Sequence, residues 1–448
     1  MAKKSAVSYV CSMCGHVQSS WSGKCPECGQ WNTLEQQLNI SSQQLKKAGQ
    51  KLKVASITEV AKADTFERFK SDDPQLDEVL GGGFVPGSVV LLAGQPGIGK
   101  STLLLQIAYS VAQHQKVLYV SGEESPHQVA LRGARLGKLS DKLKLASSTV
   151  TDDIARTMNE ERYDLVVLDS IQTIACNDIA SAAGSVAQIT NSTHMLTEIA
   201  KQHNTTLVIV GHVTKQGSIA GPKLLEHSVD VVLQLDGDRY GGFKVLRTVK
   251  NRFGSTNEAA IYEMADQGMR SVDNPSASLL KERQITDGSV VMATMEGARP
   301  LLVEIQALVH TTAYGYPKRA ASGFDLNRMN LLIAMLEKRT KLTLADKDIY
   351  INVVGGINVN EPAADLAICM AIASASKGMQ LKKNAAVFGE VGLSGEVRHV
   401  THIDKRVAEA KKLGFDAAIG PKSTQKSPFL VSVSDVRTAL NTFLEKDS

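Results

Sequence analysis

The run Val89-Val-Leu-Leu-Ala-Gly94-Gln95-Pro96-Gly97-Ile98-Gly99-Lys100-Ser101-Thr102 constrains the fold more than any other part of this 448-residue chain. An apolar segment of strand length enters a glycine-rich loop, and the loop enters LLLQIAYSVAQH, whose apolar content suits a helix. Strand, G-x-x-x-x-G-K-S loop and helix in that order are the context in which the motif specifies a phosphate cradle. Loop N–H groups and the helix N-terminus face the phosphates, Lys100 pairs with the β and γ oxygens, and Ser101 holds Mg²⁺. ATP and Mg²⁺ are the cofactors this predicts.

Beyond the loop, strand-like and helical stretches alternate: KVLYVSGEE, YDLVVLDS, TLVIVGHV and DVVLQL, then KVLRTVKN and AAIYEM. That alternation predicts a doubly wound α/β domain, whose ligand sits at the carboxyl ends of its strands. Asp169 ends VVLDS, where a carboxylate holds Mg²⁺ through water. Glu123 and Glu124 end VLYVSGEE, where one carboxylate orients and deprotonates a water. His212 ends VIVGHV and is placed to sense a γ-phosphate. Any one of them could be a helix cap or surface charge; together they line one edge.

A glutamate on the strand after the phosphate loop is similar to the RecA and DnaB branch of P-loop ATPases. Leu76-Asp77-Glu78-Val79-Leu80-Gly81-Gly82-Gly83, followed by Pro86-Gly87-Ser88, resembles that branch's lead-in. Val249-Lys250-Asn251-Arg252-Phe253-Gly254 resembles the KNRFG motif of the RadA (Sms) family of bacterial DNA repair proteins. The resemblance implies that Lys250 and Arg252 are the counterpart of basic residues that RecA-type subunits insert into a neighbour's ATP site. The plain alternative is a solvated basic pair at a strand end. A finger in trans makes hydrolysis depend on an oligomer, and the family implies a hexameric ring like DnaB helicase.

Four of the six cysteines fall as Cys11-x-x-Cys14, ten residues, then Cys25-x-x-Cys28. Two such turns can set four thiolates around one tetrahedral Zn²⁺, with Gly15 and Gly29 shaping the knuckles. A closed four-thiolate site leaves no position for chemistry, so the zinc is expected to be structural. Trp21 and Trp31, the only tryptophans, flank the second knuckle. They are expected to form the core of this tiny module, with base stacking as the alternative. Before Ser56, Lys3, Lys4, Lys24, Lys46, Lys47, Lys51 and Lys53 stand against Glu27 and Glu35, a balance of +5 that four thiolates and Zn²⁺ reduce to about +3. The whole chain carries only +4, so charge alone does not argue for nucleic acid.

From about Pro275 the pattern restarts with SVVMAT and PLLVEIQALVH, and DLNRMNLLIAMLEKRT and PAADLAICMAIASASKG read as helices. This part resembles the proteolytic domain of Lon, whose serine follows the proline of a Gly-Pro-Ser-Ala motif and pairs with a downstream lysine. Glu361-Pro362-Ala363-Ala364 places alanine where that nucleophile stands, and Asp404, beside Lys405 and Arg406, falls at the lysine's place. Without a hydroxyl at 363 no acyl-enzyme forms there, so a scaffold for ring formation is the expected use. Lys318-Arg319, Lys382-Lys383, Lys405-Arg406 and Lys411-Lys412 are candidate phosphate contacts, each equally readable as a solvated face.

The expected organisation is a zinc finger at 8–35, a Gln-, Ser- and Lys-rich linker at 36–55, an α/β RecA-like P-loop ATPase at 56–274, and a proteolytically inactive α+β Lon-protease-like domain at 275–448. No apolar run approaches the roughly 20 residues that span a bilayer, and MAKKSAVSYV reaches Cys11 before a signal-peptide core can form, which points to the cytoplasm. The family resemblance implies a DNA-dependent ATPase and helicase that extends heteroduplex and migrates branches in recombination. Its implied partners are single-stranded and branched DNA, the RecA recombinase and further copies of itself in a hexamer. Loops 176–190 and Lys215–Lys223 are expected to touch DNA inside the ring, with glycine and serine giving mobility. The competing reading is an ATP-gated scaffold that recruits recombination partners without motor activity.

Overall fold

The computed structural model describes residues 7–38, 54, 56, 58, 67–136, 140–212, 224–237, 242–313, 315–423 and 427–446. Most of the expected linker and the loop Lys215–Lys223 lie outside the described residues. The chain divides into two compact units, Met1–Thr65 and Phe66–Ser448.

In the first unit, β1 (Val7–Cys11), β2 (Val17–Gln18) and β3 (Leu34–Leu38) form an antiparallel sheet in the order β2-β1-β3. Its buried apolar residues are Cys11, Cys25 and Leu34, with Tyr9 packed against them. Trp21 and Trp31 are 58% and 68% exposed, so they are not the core of the module. With so little apolar surface buried, this unit cannot stand on hydrophobic burial. Cys11 and Cys25 occupy the interior that the indoles are expected to fill, while Cys14 and Cys28 are exposed.

The second unit opens with α1 (Pro74–Val79), capped by Asp73, whose carboxylate accepts from the Gln75 and Leu76 N–H groups. There follow β4 (Val89–Gly94), α2 (Lys100–Val111), β5 (Val117–Ser121), α3 (Pro126–Gly133), β6 (Leu143–Ser147), α4 (Thr151–Glu160) and β7 (Leu165–Asp169). A short 3₁₀ turn (Ile171–Thr173), α5 (Val186–His203), β8 (Thr206–His212), α6 (Leu224–Ser228) and β9 (Val231–Gly237) complete the wound part. β10 (Phe243–Asn251), β11 (Ala259–Ala265) and β12 (Gly268–Ser271) extend the sheet antiparallel, giving nine strands in the order β12-β11-β10-β9-β4-β8-β7-β5-β6. Every residue of β4 is buried because both faces are covered. Val90 and Leu92 pack with Leu103 and Ile107 of α2, while Val89 and Leu91 share a core with Ile154 of α4 and Leu196 of α5.

After α7 (Pro275–Leu280) come β13 (Ser289–Glu296), β14 (Arg299–Thr311), β15 (Arg319–Ser322), α8 (Leu326–Thr340), β16 (Lys347–Val353) and α9 (Asp365–Lys377). The short β17 (Met379–Leu381), β18 (Ala385–Val387), β19 (Glu390–Val391) and β20 (Val397–Arg398) lead to α10 (Ile403–Lys412), β21 (Ala417–Gly420), β22 (Leu430–Ser432), α11 (Val436–Phe443) and β23 (Leu444–Lys446). Seven of these strands pair as β15-β16-β14-β13-β18-β21-β22. α9 is apolar nearly all round and lies in the core, as a helix without a polar face must.

The two sheets share a wall. Phe243, Val245 and Ile261 on one face of β10 and β11 belong to the same apolar cluster as Val290, Met292 and Val303 of the second sheet. Leu246, Ala260 and Tyr262 on the other face belong to the core around α2. No helix among the described residues is long and apolar enough to cross a membrane.

Candidate functional site

Parallel register brings the sequence-predicted residues together. Gly94 pairs with His212 across β4 and β8, and Ser121 pairs with Asp169 across β5 and β7, so the loop, both glutamates, Asp169 and His212 share the carboxyl edge. Gly99 begins α2 at φ +111°, a left-handed conformation that glycine tolerates. A Cβ there would stand 2.2 Å from the Met269 methyl, because the β11–β12 hairpin folds over the loop. Nothing local in the sequence marks Met269 as a neighbour of this glycine. At Gly97, φ +78°, a Cβ would meet no atom within 4 Å, so the cradle is open above the loop.

Lys100 is only 4% exposed. Its ammonium donates to the Gly94 carbonyl at 2.8 Å and the Gln95 carbonyl at 3.0 Å, and lies 3.1 Å from His212 Nδ1. Burial lowers its pKa to about 8, with Asp169 and Glu123 pulling the other way. Burial and then the Lys100 charge lower His212 as well, which keeps the imidazole neutral and able to accept from the ammonium. Ser101 and Thr102 sit half-buried in the first turn of α2, whose free N–H groups point out of the helix end.

The two glutamates differ. Glu124 pairs with Arg132 at 2.9 Å, whereas Glu123 is half-exposed, accepts from Ser170 Oγ at 2.9 Å and lies 3.9 Å from His212 Nε2. Only Glu123 faces the open cradle without a cation locked onto it. Asp169 Oδ2 accepts from the buried Tyr119 hydroxyl at 2.6 Å. The 3₁₀ turn after Asp169 packs beneath both Glu123 and His212. A Cβ at Gly122 would meet Thr173 Oγ1 at 2.0 Å, and one at Gly211 would lie 4.0 Å from Gln172 Nε2. In the loop 176–190, Gln188, 1% exposed, donates to the carbonyls of Ile179 at 2.9 Å and Ser181 at 3.0 Å, 180–184 are exposed, and 186–190 is already helix.

Lys250 and Arg252 lie elsewhere. Lys250 pairs with Val232 near the start of β9, and Val232 pairs with Leu91 of β4, so this strand end is at the amino edge of the parallel sheet. From Val89 to Gly94 the sheet rises about 3.3 Å per residue, so roughly 17 Å of strand separates that edge from the phosphate loop. Lys250 donates to the Glu226 and Val229 carbonyls at 2.5 and 2.7 Å, satisfying the open end of α6. Arg252, more than half exposed, pairs with Asp230 at 3.2 Å. The lead-in glycines pack on the same motif: Arg68 donates to the Phe253 carbonyl at 2.7 Å, and a Cβ on Gly81 would meet the Gly254 Cα at 3.1 Å.

Comparisons with known proteins agree with this architecture. The family described as AAA domain matches residues 57–218, rubredoxin metal binding domain matches 9–36, and subunit ChlI of Mg-chelatase matches 322–424. The DNA repair protein RadA of Aquifex aeolicus is 47% identical, over 94% of this chain and 95% of its own. Those of Listeria monocytogenes and Bacillus subtilis are 46% and 45% identical, each over 98% of this chain and at least 98% of its own. The chain belongs to the RadA family of DNA repair proteins. A solved KaiC-like protein from Pyrococcus horikoshii is 22% identical over 46% of this chain and 99% of its own, with a TM-score of 0.39.

The metal-binding ribbon of this RadA-family chain is built for zinc. Cys11 and Cys28 sulfurs are 3.6 Å apart, those of Cys14 and Cys25 are 3.7 Å apart, and all four lie within 4.8 Å of one another. A tetrahedron with Zn–S bonds of about 2.3 Å has sulfur–sulfur edges of about 3.8 Å, so the cage fits the ion.

In the C-terminal part of the RadA-family fold, the residue that turns toward the Glu361–Ala364 segment is Arg406. Asp404 and Lys405 are exposed, while Arg406 is fully buried and forks onto Glu361 at 2.5 and 2.8 Å. Glu361 also accepts from Thr294 Oγ1 at 2.6 Å and the Met295 N–H at 2.9 Å. Arg406 is therefore removed from the candidate phosphate contacts, because no backbone phosphate can reach it. Lys382, Lys383, Lys405, Lys411 and Lys412 remain at the surface.

Proposed function

We propose that the chain is a DNA-dependent ATPase whose active site is completed by a neighbouring subunit. The observation that carries this reading is the separation of its two basic groups: Lys100 at the carboxyl edge, Lys250 and Arg252 at the amino edge of the same sheet. Arg252 cannot serve its own cradle, but in a head-to-tail ring one subunit's amino edge can face the next subunit's loop.

Within the cradle, the loop N–H groups and Lys100 hold the phosphates of ATP. Ser101 and Asp169 hold Mg²⁺, which when bound neutralises charge on the phosphate oxygens. Glu123, steadied by Ser170, orients the attacking water and takes its proton. His212 exchanges its contact with Lys100 for one with the γ-phosphate and carries that difference into the segment that follows β8. Arg252 of the next subunit, with Lys250 beside it, stabilises the charge that develops in the transition state. The assembly is a hexameric DnaB-like helicase that encircles single-stranded DNA and works with RecA on branched intermediates, extending heteroduplex by branch migration. Proteolysis is no part of its activity, since Ala363 offers no nucleophile and Arg406 is no base at any accessible pH.

ATP hydrolysis with and without single-stranded DNA, repeated at several salt concentrations, tests the reading. Stimulation by DNA that fades steeply with salt supports the motor, because phosphate contacts release counterions. Hydrolysis indifferent to DNA at every salt concentration favours the ATP-gated scaffold.

A further inference from the structure

Asp169 has two carboxylate oxygens, and the fold has already committed one of them. Oδ2 accepts a 2.6 Å hydrogen bond from the hydroxyl of Tyr119. Tyr119 lies in the middle of β5 and is 1% exposed. β5 and β7 run parallel with Tyr119 opposite Val167 and Ser121 opposite Asp169, which sets the phenol diagonal to the carboxylate on one face of the sheet. Burial and the Asp169 charge hold the phenol far above its ordinary pKa, so it remains a neutral donor throughout the physiological range. Arg132, paired with Glu124 at 2.9 Å, is a nearby positive charge that opposes this rise, and its Nε and Nη2 are buried without acceptors.

A buried tyrosine needs a partner for its hydroxyl, and a backbone carbonyl would serve as well. Choosing Asp169 has a chemical consequence. Mg²⁺ keeps several waters in a near-ideal octahedron, so a carboxylate with one fixed, outward oxygen suits its water shell. A carboxylate free to rotate offers both oxygens, which suits the looser coordination of Ca²⁺.

We propose that Tyr119 is a positioning residue for the Mg²⁺ site: its O–H pins Oδ2 of Asp169 and leaves Oδ1 as the single oxygen presented to the cation's water shell. This rests on the reading of Asp169 as the metal-side carboxylate. Partners of this kind typically change metal affinity 10- to 100-fold when removed.

The test titrates Mg²⁺, and separately Ca²⁺, against the full chain at fixed fluorescent ATP analogue, reading nucleotide binding rather than turnover, for wild type, Tyr119→Phe and Asp169→Asn. The expected result is a roughly tenfold rise in half-saturating Mg²⁺ for Tyr119→Phe, a smaller rise for Ca²⁺, and unchanged binding of metal-free nucleotide. An unchanged Mg²⁺ midpoint in Tyr119→Phe alongside a raised one in Asp169→Asn overturns this inference and leaves the site's reading intact. An unchanged midpoint in both overturns the reading of Asp169 as well. Where Tyr119→Phe does not fold, 3-fluorotyrosine placed at 119 alone keeps ring and hydroxyl. Its ¹⁹F resonance is then expected to shift when Mg²⁺ joins bound nucleotide, and a resonance indifferent to the metal overturns the proposal.

Discussion

Lys100 Nζ stands 3.1 Å from His212 Nδ1, a contact between two groups each held below its ordinary pKa. The ammonium is folded onto its own loop, bonded to the Gly94 and Gln95 carbonyls. A polyphosphate entering the cradle must draw Lys100 off these partners, and His212 is the side chain that loses one when it does. The lysine proposed to bind phosphate and the histidine proposed to sense it are thus coupled before any ligand arrives.

This coupling gives a pH dependence. In the free protein Lys100 titrates near 8, against an ordinary value of 10.5. Phosphates favour the charged form, so ATP binding takes up a proton once the pH exceeds about 8. Affinity is expected to be flat below pH 8 and to fall about tenfold per unit above it, until the pKa of the bound state is reached. Folding stability moves the opposite way: between about 8 and 10.5 the unfolded chain binds more protons, so this group's contribution rises with pH. Calorimetric titrations across pH 7 to 10, roughly the window that brackets this pKa, check the sign.

Arg252 and Lys250 should separate by variant. Arg252 is more than half exposed, and buried Asp230 keeps the Val89 N–H at 3.1 Å and Lys201 at 3.9 Å as other partners, so Arg252→Ala is expected to change stability by only about 1 kcal/mol while cutting hydrolysis by a factor on the order of 10³ with nucleotide binding retained. Lys250 closes α6 through two carbonyls, so Lys250→Ala is expected to lower the melting temperature as well as the rate. Equal melting temperatures for the two variants would contradict this division.

How much of this was legible in the sequence depends on the range over which each feature is determined. Lys100, Ser101 and Asp169 are marked by local pattern, a strand or a glycine run beside them, and register then gathers them without further information. Met269 over Gly99, Arg406 on Glu361 and Tyr119 on Asp169 join residues 170, 45 and 50 positions apart. Such pairs are set by packing, which no local period encodes. Asp404 is the residue the pattern sets beside Ala363, whereas Arg406 stands there, because a two-residue shift on a helix costs little in pattern yet moves the side chain by about 200° around the axis. Trp21 and Trp31 were misplaced for a different reason: apolar residues are usually core, but here the sulfur cage takes the interior.

Zinc removal should act on the ribbon alone. A chelator or Cys28→Ala is expected to unfold residues 7–38, whose few buried side chains cannot replace the metal, and to leave the thermal transition of 66–448 in place. Differential scanning calorimetry with and without chelator reads both. A shift of the main transition would show that the ribbon supports the second unit.

The Arg406–Glu361 pair predicts a stability cost and an absent activity. Arg406→Ala removes a fully buried guanidinium from a partly exposed Glu361 and is expected to destabilise the second unit by about 1 to 3 kcal/mol in denaturant melts. Ala363→Ser restores a hydroxyl at a position only 2% exposed, beside an arginine that cannot accept a proton. It is expected to hydrolyse no peptide substrate, and measurable cleavage by that variant would contradict the claim that the site lacks a base as well as a nucleophile.

The most direct measurement of the central claim mixes two inactive subunits. Lys100→Ala keeps Arg252 but has lost its own cradle, and Arg252→Ala keeps the cradle but lacks the finger it would lend a neighbour. If each ATP site is finished across a subunit boundary, the equimolar mixture hydrolyses ATP well above the average of the two variants alone, with DNA present throughout. Activity that stays at that average at every mixing ratio, with mixed assembly verified, would contradict the account.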